Sequence, residues 1–533
     1  MAFRGQAAFG HSGRGVSLSA AAALLLSAAV VPAQAAPRSA ATAGGASPAL
    51  CGPGDMKEPG IQGDVPAGAT GWKYQCGVNL LAEVPRVGSV QGYGTCAYVR
   101  AAGMVHVIDV SDPGKPVEVG SVPVKSASET MRTNISADRA LLVSGSSVYD
   151  ISDCRNPKLK GEIKWPPLSV GVNPPYGGGG GRGLLPHDLR ISRDGTKVYG
   201  SLGLWQVDIS NLDDPETWTV TDLRCEVLAQ VPGPWQAPHQ ATQKVGASLC
   251  DDAANPAGAG WRIGGSDLQS AVLWGQISHG IDVSADNRRV FVADQAASVI
   301  GAMADNQPRL HVIDVSQRPV KVLGSTNGPG HSMDWFTRRG REYVVHANEV
   351  GTSAAAMLRQ MAAAQAAQAG PSGAGTPPRS ISALAASAVN MLSDTCRPYP
   401  RPSALGWAFE AFITDVSQPT RPRNLSMLQI AINNPEHCEA RKASGRDPTV
   451  AYHMLDNAMD AKFAAVNFGS AGLRIFDIRN PARPYEVAYF NHGPMVHGGV
   501  GYYDAARGLI YAAGGTGLWI LELQPQVMAR LGL

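Results

Sequence analysis

The chain has 533 residues, a formal net charge of +2 and 17% charged residues. This balance gives no basic stripe for nucleic acid and no acidic field for cations, so we expect no nucleic-acid partner. With 44% hydrophobic residues, the chain is long enough to bury a large core.

The N-terminal residues have the pattern of a signal peptide. Two arginines precede an apolar run at 18–31, and Ala33-Gln34-Ala35 follows it. The run is too short to span a bilayer, and no later stretch is apolar enough to be a transmembrane anchor. We expect cleavage near Ala35 or Ala36 and a secreted or periplasmic protein.

All eight cysteines follow this segment, and an even number in an exported chain favours disulfides over metal thiolates. Proximity along the chain favours the pairs Cys51–Cys76 and Cys225–Cys250. If all eight cysteines are oxidised, the pairs Cys96–Cys154 and Cys396–Cys438 remain, although spacing leaves other connectivities open.

A phrase of alternating apolar residues followed by an acidic residue recurs seven times. The copies are VHVIDVSDPGKPVEVG (105–120), SVYDISDCRNPKLKGE (147–162), LWQVDISNLDDP (204–215), LHVIDVSQRPVKVLG (310–324), AFITDVSQPTRP (411–422), LRIFDIRNPARPYEVA (473–488) and the truncated LWILELQPQ (518–526). One such strand–turn–strand unit cannot bury its apolar face alone. Seven copies therefore predict an all-β, seven-bladed β-propeller.

The aspartates of the phrase stand where a strand ends, and a proline follows each of them. A short carboxylate at that place can bond the backbone of the next turn, so we expect a capping role rather than a catalytic one. The six aspartates are Asp109, Asp150, Asp208, Asp314, Asp415 and Asp477.

These phrases resemble the LVIVD repeat family of bacterial and archaeal extracytoplasmic propellers, over nearly all of residues 78–526. The resemblance implies the fold, and the family shares an architecture more than one activity. The seventh copy departs from the pattern, with Glu522 in the Asp position and no strand behind it. We infer that the segment 78–88 supplies this missing outer strand and closes the ring.

The chain therefore divides into five parts. One alternative stays open, in which a degenerate eighth blade lies around 238–275. The parts are a signal peptide (1–36), an N-terminal extension (37–77), the propeller (78–526), an insertion within it (350–407) and a C-terminal tail (527–533).

Long insertions fall between strands in places that should share one face of the ring. We expect this loop-rich face to form a site, with a partly helical insertion as its lid. The segments are 164–186, 231–278, 350–407 and 431–452.

Five histidines stand just before or at the start of the innermost strand in successive blades: His187, His279, His331, His453 and His497. The innermost strands line the central channel, so these imidazoles should converge at its mouth. His346 and Glu349 should lie beside them and are the candidates for catalytic roles, and His239 is a further candidate ligand. Because imidazole binds copper, zinc and iron, the pattern predicts a transition-metal site, with copper favoured over zinc or iron.

Nearby aspartates have predicted roles as well. Asp188 and Asp334, next to two of these histidines, could orient imidazole rings, whereas Asp282 and Asp294 are expected to cap turns. The segment HGIDVSADNRRVFVAD (279–294) resembles the selenium-binding or methanethiol oxidase propellers, a likeness that implies copper-dependent oxidation.

The sequence thus favours an exported metalloenzyme, an oxidoreductase or a hydrolase, that acts on a small organic substrate at the channel mouth. Two alternatives stay open. One is a non-catalytic binding module whose loop-rich face holds a protein or glycan at the cell surface, and the other is metal storage or delivery.

Overall fold

A computed structural model describes residues 47–65, 69–125, 131–135, 139–165, 186, 188–201, 204–223, 226–227, 230, 280–293, 310–326, 332–347, 411–437, 453–493 and 495–533. The strands in these ranges form seven antiparallel sheets. None of the helices in the described ranges has the length and apolar composition needed to span a bilayer.

The chain enters the propeller through two strands, β1 (Tyr74–Cys76) and β2 (Val78–Val84). Blades 1 and 2 follow in simple strand order. Blade 1 comprises β3 (Ser89–Tyr93), β4 (Cys96–Ala101), β5 (Met104–Asp109) and β6 (Val117–Pro123). Blade 2 comprises β7 (Met131–Ile135), β8 (Ala140–Ser144), β9 (Ser147–Asp150) and β10 (Lys158–Glu162).

Blades 3 to 5 repeat the same order. Blade 3 comprises β11 (Leu189–Ile191), β12 (Lys197–Gly200), β13 (Trp205–Asp208) and β14 (Thr219–Asp222). Blade 4 comprises β15 (Gly280–Val283), β16 (Arg289–Ala293), β17 (Leu310–Asp314) and β18 (Lys321–Thr326). Blade 5 comprises β19 (Met333–Arg338), β20 (Arg341–Ala347), β21 (Ala411–Asp415) and β22 (Arg423–Leu428).

The last two blades complete the ring. Blade 6 contains β23 (His453–Leu455), β24 (Phe463–Asn467), β25 (Leu473–Asp477) and β26 (Tyr485–Asn491). Blade 7 contains β27 (Met495–Asp504), β28 (Leu509–Gly514) and β29 (Leu518–Leu523), and the helix α1 (Pro525–Leu531) follows it. Short 3-10 turns lie at Pro215–Thr217, Ala431–Asn433, Pro435–His437 and Gly469–Ala471.

The ring closes through the N-terminal strands. The strand β2 pairs with β29 as the outer strand of blade 7, which confirms the predicted closure by the segment 78–88. The repeat phrases do not predict that β1 adds a fifth strand to blade 6, which it does by pairing with β26. Each innermost strand contacts the next one around the ring, and β27 contacts β3. The predicted seven-bladed propeller is therefore confirmed.

Apolar clusters hold neighbouring blades together. In the described residues, each of the seven blade interfaces has its own cluster, such as the one that joins Val99 of blade 1 to Tyr511 of blade 7. Middle strands such as β28 are buried along their whole length because a blade covers each face, whereas the outer strand β6 is mostly exposed. This burial is the main favourable contribution to folding.

The repeat aspartates cap turns as the sequence predicts. The backbone N–H two residues later donates to the carboxylate in all six copies, for example Ser111 to Asp109 at 2.9 Å and Ser417 to Asp415 at 3.1 Å. In Asp150, hydrogen bonds from the Ser152 backbone and hydroxyl lower the carboxyl pKa. These residues are structural.

Two of the expected disulfides are present, Cys51–Cys76 and Cys96–Cys154. The first fastens the N-terminal extension to β1, and the second joins blade 1 to blade 2. The other four cysteines, most of the insertions expected on one face and the segment 238–275 lie outside the described residues.

Candidate functional site at the channel mouth

The beginnings of the inner strands bring charged side chains together. On β19, Met333 and Trp335 are buried in the interface between blades 4 and 5, so the alternating Asp334 faces the channel. The same alternation turns one residue near the start of each neighbouring inner strand toward the channel. We call this set, with the residue that precedes β11, the channel belt: Arg132, Asp188, Arg190, Asp282, Asp334 and His453.

Arg190 is the centre of the belt. Its Nε donates to the carbonyl oxygen of Ile281 at 2.8 Å and lies 3.5 Å from Asp282, in blade 4. Its terminal nitrogen bonds Asp334, in blade 5. Although burial alone would lower the pKa of the guanidinium, the negative charges of Asp334 and Asp282 raise it. One arginine therefore links three blades across the channel.

Asp334 also contacts His453, in blade 6. The His453 Nδ1 lies 2.6 Å from the second carboxylate oxygen of Asp334. Burial would raise the pKa of Asp334, but the positive charge of Arg190 and then its interactions with His453 lower it. In the neutral ring, the ionised carboxylate assigns the proton to Nδ1, so Nε2 carries the lone pair.

The Nε2 atom of His453 is buried and has no hydrogen-bond partner in the described part of the chain. Native proteins pair most buried polar atoms, so such an atom calls for an explanation. A histidine that donates one ring nitrogen to a carboxylate and presents the other is the arrangement found at metal centres and in general bases.

Arg132 and Asp188 extend the belt through blades 2 and 3. Arg132 donates to Asp188 at 2.7 Å, and the other carboxylate oxygen of Asp188 has no partner among the described residues. Asp282 was expected to cap a turn, and this expectation is wrong. Asp282 lies within β15 and accepts from the backbone N–H of Trp335 at 2.6 Å, so it joins blades 4 and 5.

Only two of the predicted ligands have side chains that the structure describes. His453 is in the channel belt. His346 is fully buried in blade 5, where its Nε2 lies 2.6 Å from Thr414 Oγ1 and its ring lies 5.9 Å from that of Phe412. Convergence of the full histidine set therefore stays a prediction.

The remaining predicted ligands fall outside this description. His497 lies on β27, but its side chain is not described. The others lie outside the described residues altogether: His187, His239, His279, His331 and Glu349.

The belt also differs from the sequence expectation in its chemistry. Asp334 was paired with His331 because they are close in sequence, whereas its described partner is His453, 119 residues away. The sequence pattern did not indicate a role for Arg190. The signal that could have revealed it is its position, because it stands at the same place in blade 3 as Asp334 does in blade 5.

A second group of ligand-type atoms lies beside β1, the outer strand of blade 6. Within the described residues, Cys51, Asp55 and Cys76 place one such atom each within 4.8 Å of one another. The two sulfurs form a disulfide, and Asp55 accepts from the backbone of Gly52 and Gly77, both at 2.7 Å. A metal needs thiolates, so this trio could bind one only after reduction.

Comparison with known families identifies the repeat. The LVIVD repeat model matches residues 86–124, which span blade 1, and residues 458–492, which span most of blade 6. No curated protein is significantly similar in sequence to the chain.

Several solved structures are similar in outline. The β-propeller domain of Cps50 (Swd1) from Myceliophteria thermophila is 11% identical, with a TM-score of 0.45, over 83% of this chain and 98% of that one. The N-terminal domain of Nup159 is 9% identical, with a TM-score of 0.36, over 86% and 98%. A chain of the mitotic checkpoint complex is 6% identical, with a TM-score of 0.40, over 88% and 98%.

No function is inferred from these likenesses, and the fold assignment rests on the seven sheets themselves. The chain is a seven-bladed β-propeller that carries LVIVD repeats in its first and sixth blades.

Proposed function

We propose that this protein is an exported metalloprotein whose metal ion binds at the channel mouth, on Nε2 of His453. The observation that carries the proposal is this buried nitrogen without a described partner, on a ring whose Nδ1 is held by Asp334. A carboxylate that fixes the other nitrogen orients a ligating histidine and raises its basicity.

The belt supplies the support that such a ligand needs. Arg190 holds Asp334 in place, and two further blades hold Arg190. The position of His453 is therefore set by packing and hydrogen bonds from several blades, which is the preorganisation that metal centres require.

The other ligands would come from the histidines at equivalent positions, His187, His279, His331 and His497, with Glu349, His346 or His239 nearby. A histidine-rich donor set suits copper and zinc better than calcium or magnesium, and we favour copper. When bound, the metal would act as a Lewis acid or a redox centre toward a small organic substrate, with oxidation favoured over hydrolysis. His453 would bind the metal, and Asp334 and Arg190 would keep its ring oriented.

Export is part of the proposal. Two disulfides in the described residues and the absence there of a membrane-spanning helix are compatible with an extracellular protein. We propose that the mature protein begins after Ala35 or Ala36 and works in the periplasm or outside the cell.

The test is the metal content of the mature protein, exported by its host, purified without chelators and measured by elemental analysis. We expect about one transition-metal ion per chain. His453→Ala should lose it, whereas the matched control His106→Ala should retain it because His106 lies on β5 and pairs with Glu118.

Two results would overturn the proposal: a wild-type protein without bound metal even after incubation with copper or zinc, or equal metal in His453→Ala and wild type. Either would leave the binding module as the better function. Metal that is bound and readily released to a chelator, with no oxidation of small substrates, would instead indicate storage or delivery.

A further inference from the structure

A cluster of arginines lies on the face opposite the channel mouth. The turns that end the inner strands, and the turns from the third to the fourth strand, share this face. In blades 5 and 6 these turns present five exposed arginines, which we call the arginine face: Arg339, Arg341, Arg421, Arg423 and Arg483.

The positive charge here is only partly neutralised. The turn segments 338–341, 415–423, 456–462 and 477–483 carry eight Lys and Arg residues against four aspartates. Asp415 pairs with both Arg341 and Arg423, whose side chains remain 54% and 64% exposed.

The other three members have no described partner for their side chains. No ion pair is found for Arg339, Arg421 or Arg483 among the residues that the structure describes. By contrast, the segment 208–218 of blade 3 carries four acidic residues and no Lys or Arg. The net positive charge of the arginine face therefore comes from blade 5, whose two turn segments carry five arginines against one aspartate, whereas the segments of blade 6 carry three cations and three aspartates.

The turns that hold these arginines are short and ordered. Arg339 and Gly340 form a two-residue hairpin turn with φ of 50° and 72°. The Arg339 N–H donates to Asp460 at 3.1 Å, and Arg338 pairs with Asp460 at 2.8 Å, which ties this turn to blade 6. These contacts hold the turn in place. Because the five arginines are spread over three turns of one face, they suit an extended surface better than a small molecule.

An apolar side chain projects from the same place. Met459 is 52% exposed in the turn 456–462, next to Asp460, and its N–H donates to Asn457 at 2.9 Å. An exposed apolar tip beside a cationic cluster is the combination by which peripheral proteins bind anionic bilayers.

We propose that the arginine face docks on an anionic phospholipid surface, with Met459 inserted among the headgroups. The guanidinium fork matches phosphate oxygens in pairs, so several arginines on one face can bind several phosphates of a bilayer surface. Docked in this way, the protein keeps the channel mouth on its opposite face open to solution.

The test is co-sedimentation of the full mature chain with phosphatidylcholine vesicles, with and without phosphatidylglycerol. We expect binding only to the anionic vesicles, and loss of binding at high ionic strength, where charges are screened within a few ångströms. Reversal of the three unpaired arginines in Arg339→Glu/Arg421→Glu/Arg483→Glu should weaken binding by well over tenfold, since each cation contributes about fivefold.

The matched control reverses three exposed lysines outside the turns of this face, Lys57→Glu/Lys73→Glu/Lys125→Glu, for the same change in net charge. It should retain most of the binding if docking is local. Met459→Ser should weaken binding a few-fold at any salt concentration, because its contribution is apolar.

Three outcomes would overturn the proposal. They are no binding to anionic vesicles at low salt, equal losses in the arginine and lysine variants, and binding to a soluble acidic polymer or to a second copy of the chain without binding to vesicles. Circular dichroism and thermal unfolding of both triple variants show whether a loss comes from misfolding, and the Met459→Ser result stands independently of them.

Discussion

Two arginines in this propeller each lie between two carboxylates, yet their surroundings differ. Arg474, in blade 6, contacts Glu58 at 3.1 Å and Glu486 at 3.2 Å, donates from Nε to Ala471 at 2.7 Å and stacks on Tyr489 at 4.8 Å. Its side chain is fully buried. The group is closed, because every nitrogen of the guanidinium has a partner.

Arg190 differs because its contacts lead to an atom without a described partner. Its side chain is 16% exposed and contacts Asp334. Asp334 in turn contacts Nδ1 of His453, whose Nε2 has no described partner. The two arginine groups therefore have different roles. The Arg474 group fastens the N-terminal extension to blade 6, whereas the channel belt ends at a ring nitrogen that has no partner among the described residues.

The largest loss of stability should follow the substitution of Arg474, the cation of the closed group. Arg474→Met leaves Glu58 and Glu486 buried without compensation, which should lower the free energy of unfolding by about 3–5 kcal/mol. Burial already raises the pKa of Glu486 despite the opposing charge of Arg474, so protonation at low pH should relieve part of the loss.

Denaturant unfolding at acid and at neutral pH measures both effects. Arg190→Met is the comparison, and its loss should be roughly half as large because water reaches the channel belt. Equal losses in the two variants would show that the two arginine groups do not differ as described.

The disulfide of the N-terminal extension should contribute nearly as much. Cys51 and Cys76 are 25 residues apart, and opening a loop of that length costs about 3.5 kcal/mol in the chain-entropy description. We expect Cys51→Ser/Cys76→Ser to destabilise blade 6 by this amount and to leave metal binding at the channel belt unchanged. Loss of metal in this variant would point instead to the Cys51, Asp55 and Cys76 group.

A histidine without a carboxylate partner sharpens the contrast with His453. His311 is buried on β17, its Nδ1 lies 2.8 Å from Ser325 Oγ, and burial lowers its pKa to about 4. Between this value and its unfolded pKa of about 6.5, the unfolded chain takes up a proton that the folded chain does not. Stability should therefore fall as pH drops from about 6.5, by about 3 kcal/mol at pH 4.

Unfolding free energies measured across this pH range test the effect of His311. In His311→Gln this part of the pH dependence should disappear. The control is His106→Gln, at the equivalent position of blade 1, where the ring is partly exposed and pairs with Glu118. A pH profile that is the same in His311→Gln and wild type would show that His311 does not titrate in this way.

The smallest change tests the orienting role of Asp334. Asp334→Asn keeps the size of the side chain but removes the charge that holds Nδ1–H of His453. Metal affinity should fall about 10–100-fold, while unfolding changes by less than in Arg474→Met. Competition with a chelator of known affinity measures the change, and an unaltered affinity would mean that Asp334 does not orient the ligand.

The parts of the fold that depend on local pattern could be predicted from the sequence. The cap formed by Asp109 or Asp415 needs only a backbone N–H two residues away, and the incomplete seventh phrase required one further strand, which 78–88 supplies. The strand β1 was missed because its three residues carry no repeat phrase. Distant contacts fix it instead, namely the Cys51–Cys76 disulfide and the Arg474–Glu58 ion pair.

The position of His453 could be predicted, but its partners could not. Counting from the repeat placed His453 at the channel mouth, where the structure has it. Histidine is rare, so a regular spacing of histidines is noticeable, whereas Arg190, Asp282 and Asp334 belong to common residue types. Their role arises from pairing between blades, which one sequence does not reveal.

The most direct test of the account is a crystal of the mature protein loaded with copper or zinc, with diffraction measured at the absorption edge of that metal. We predict an anomalous peak at the channel mouth, about 2.0–2.2 Å from Nε2 of His453, and no such peak in His453→Ala. A peak at Cys51, Asp55 and Cys76, or no ordered peak in the loaded wild-type protein, would contradict it.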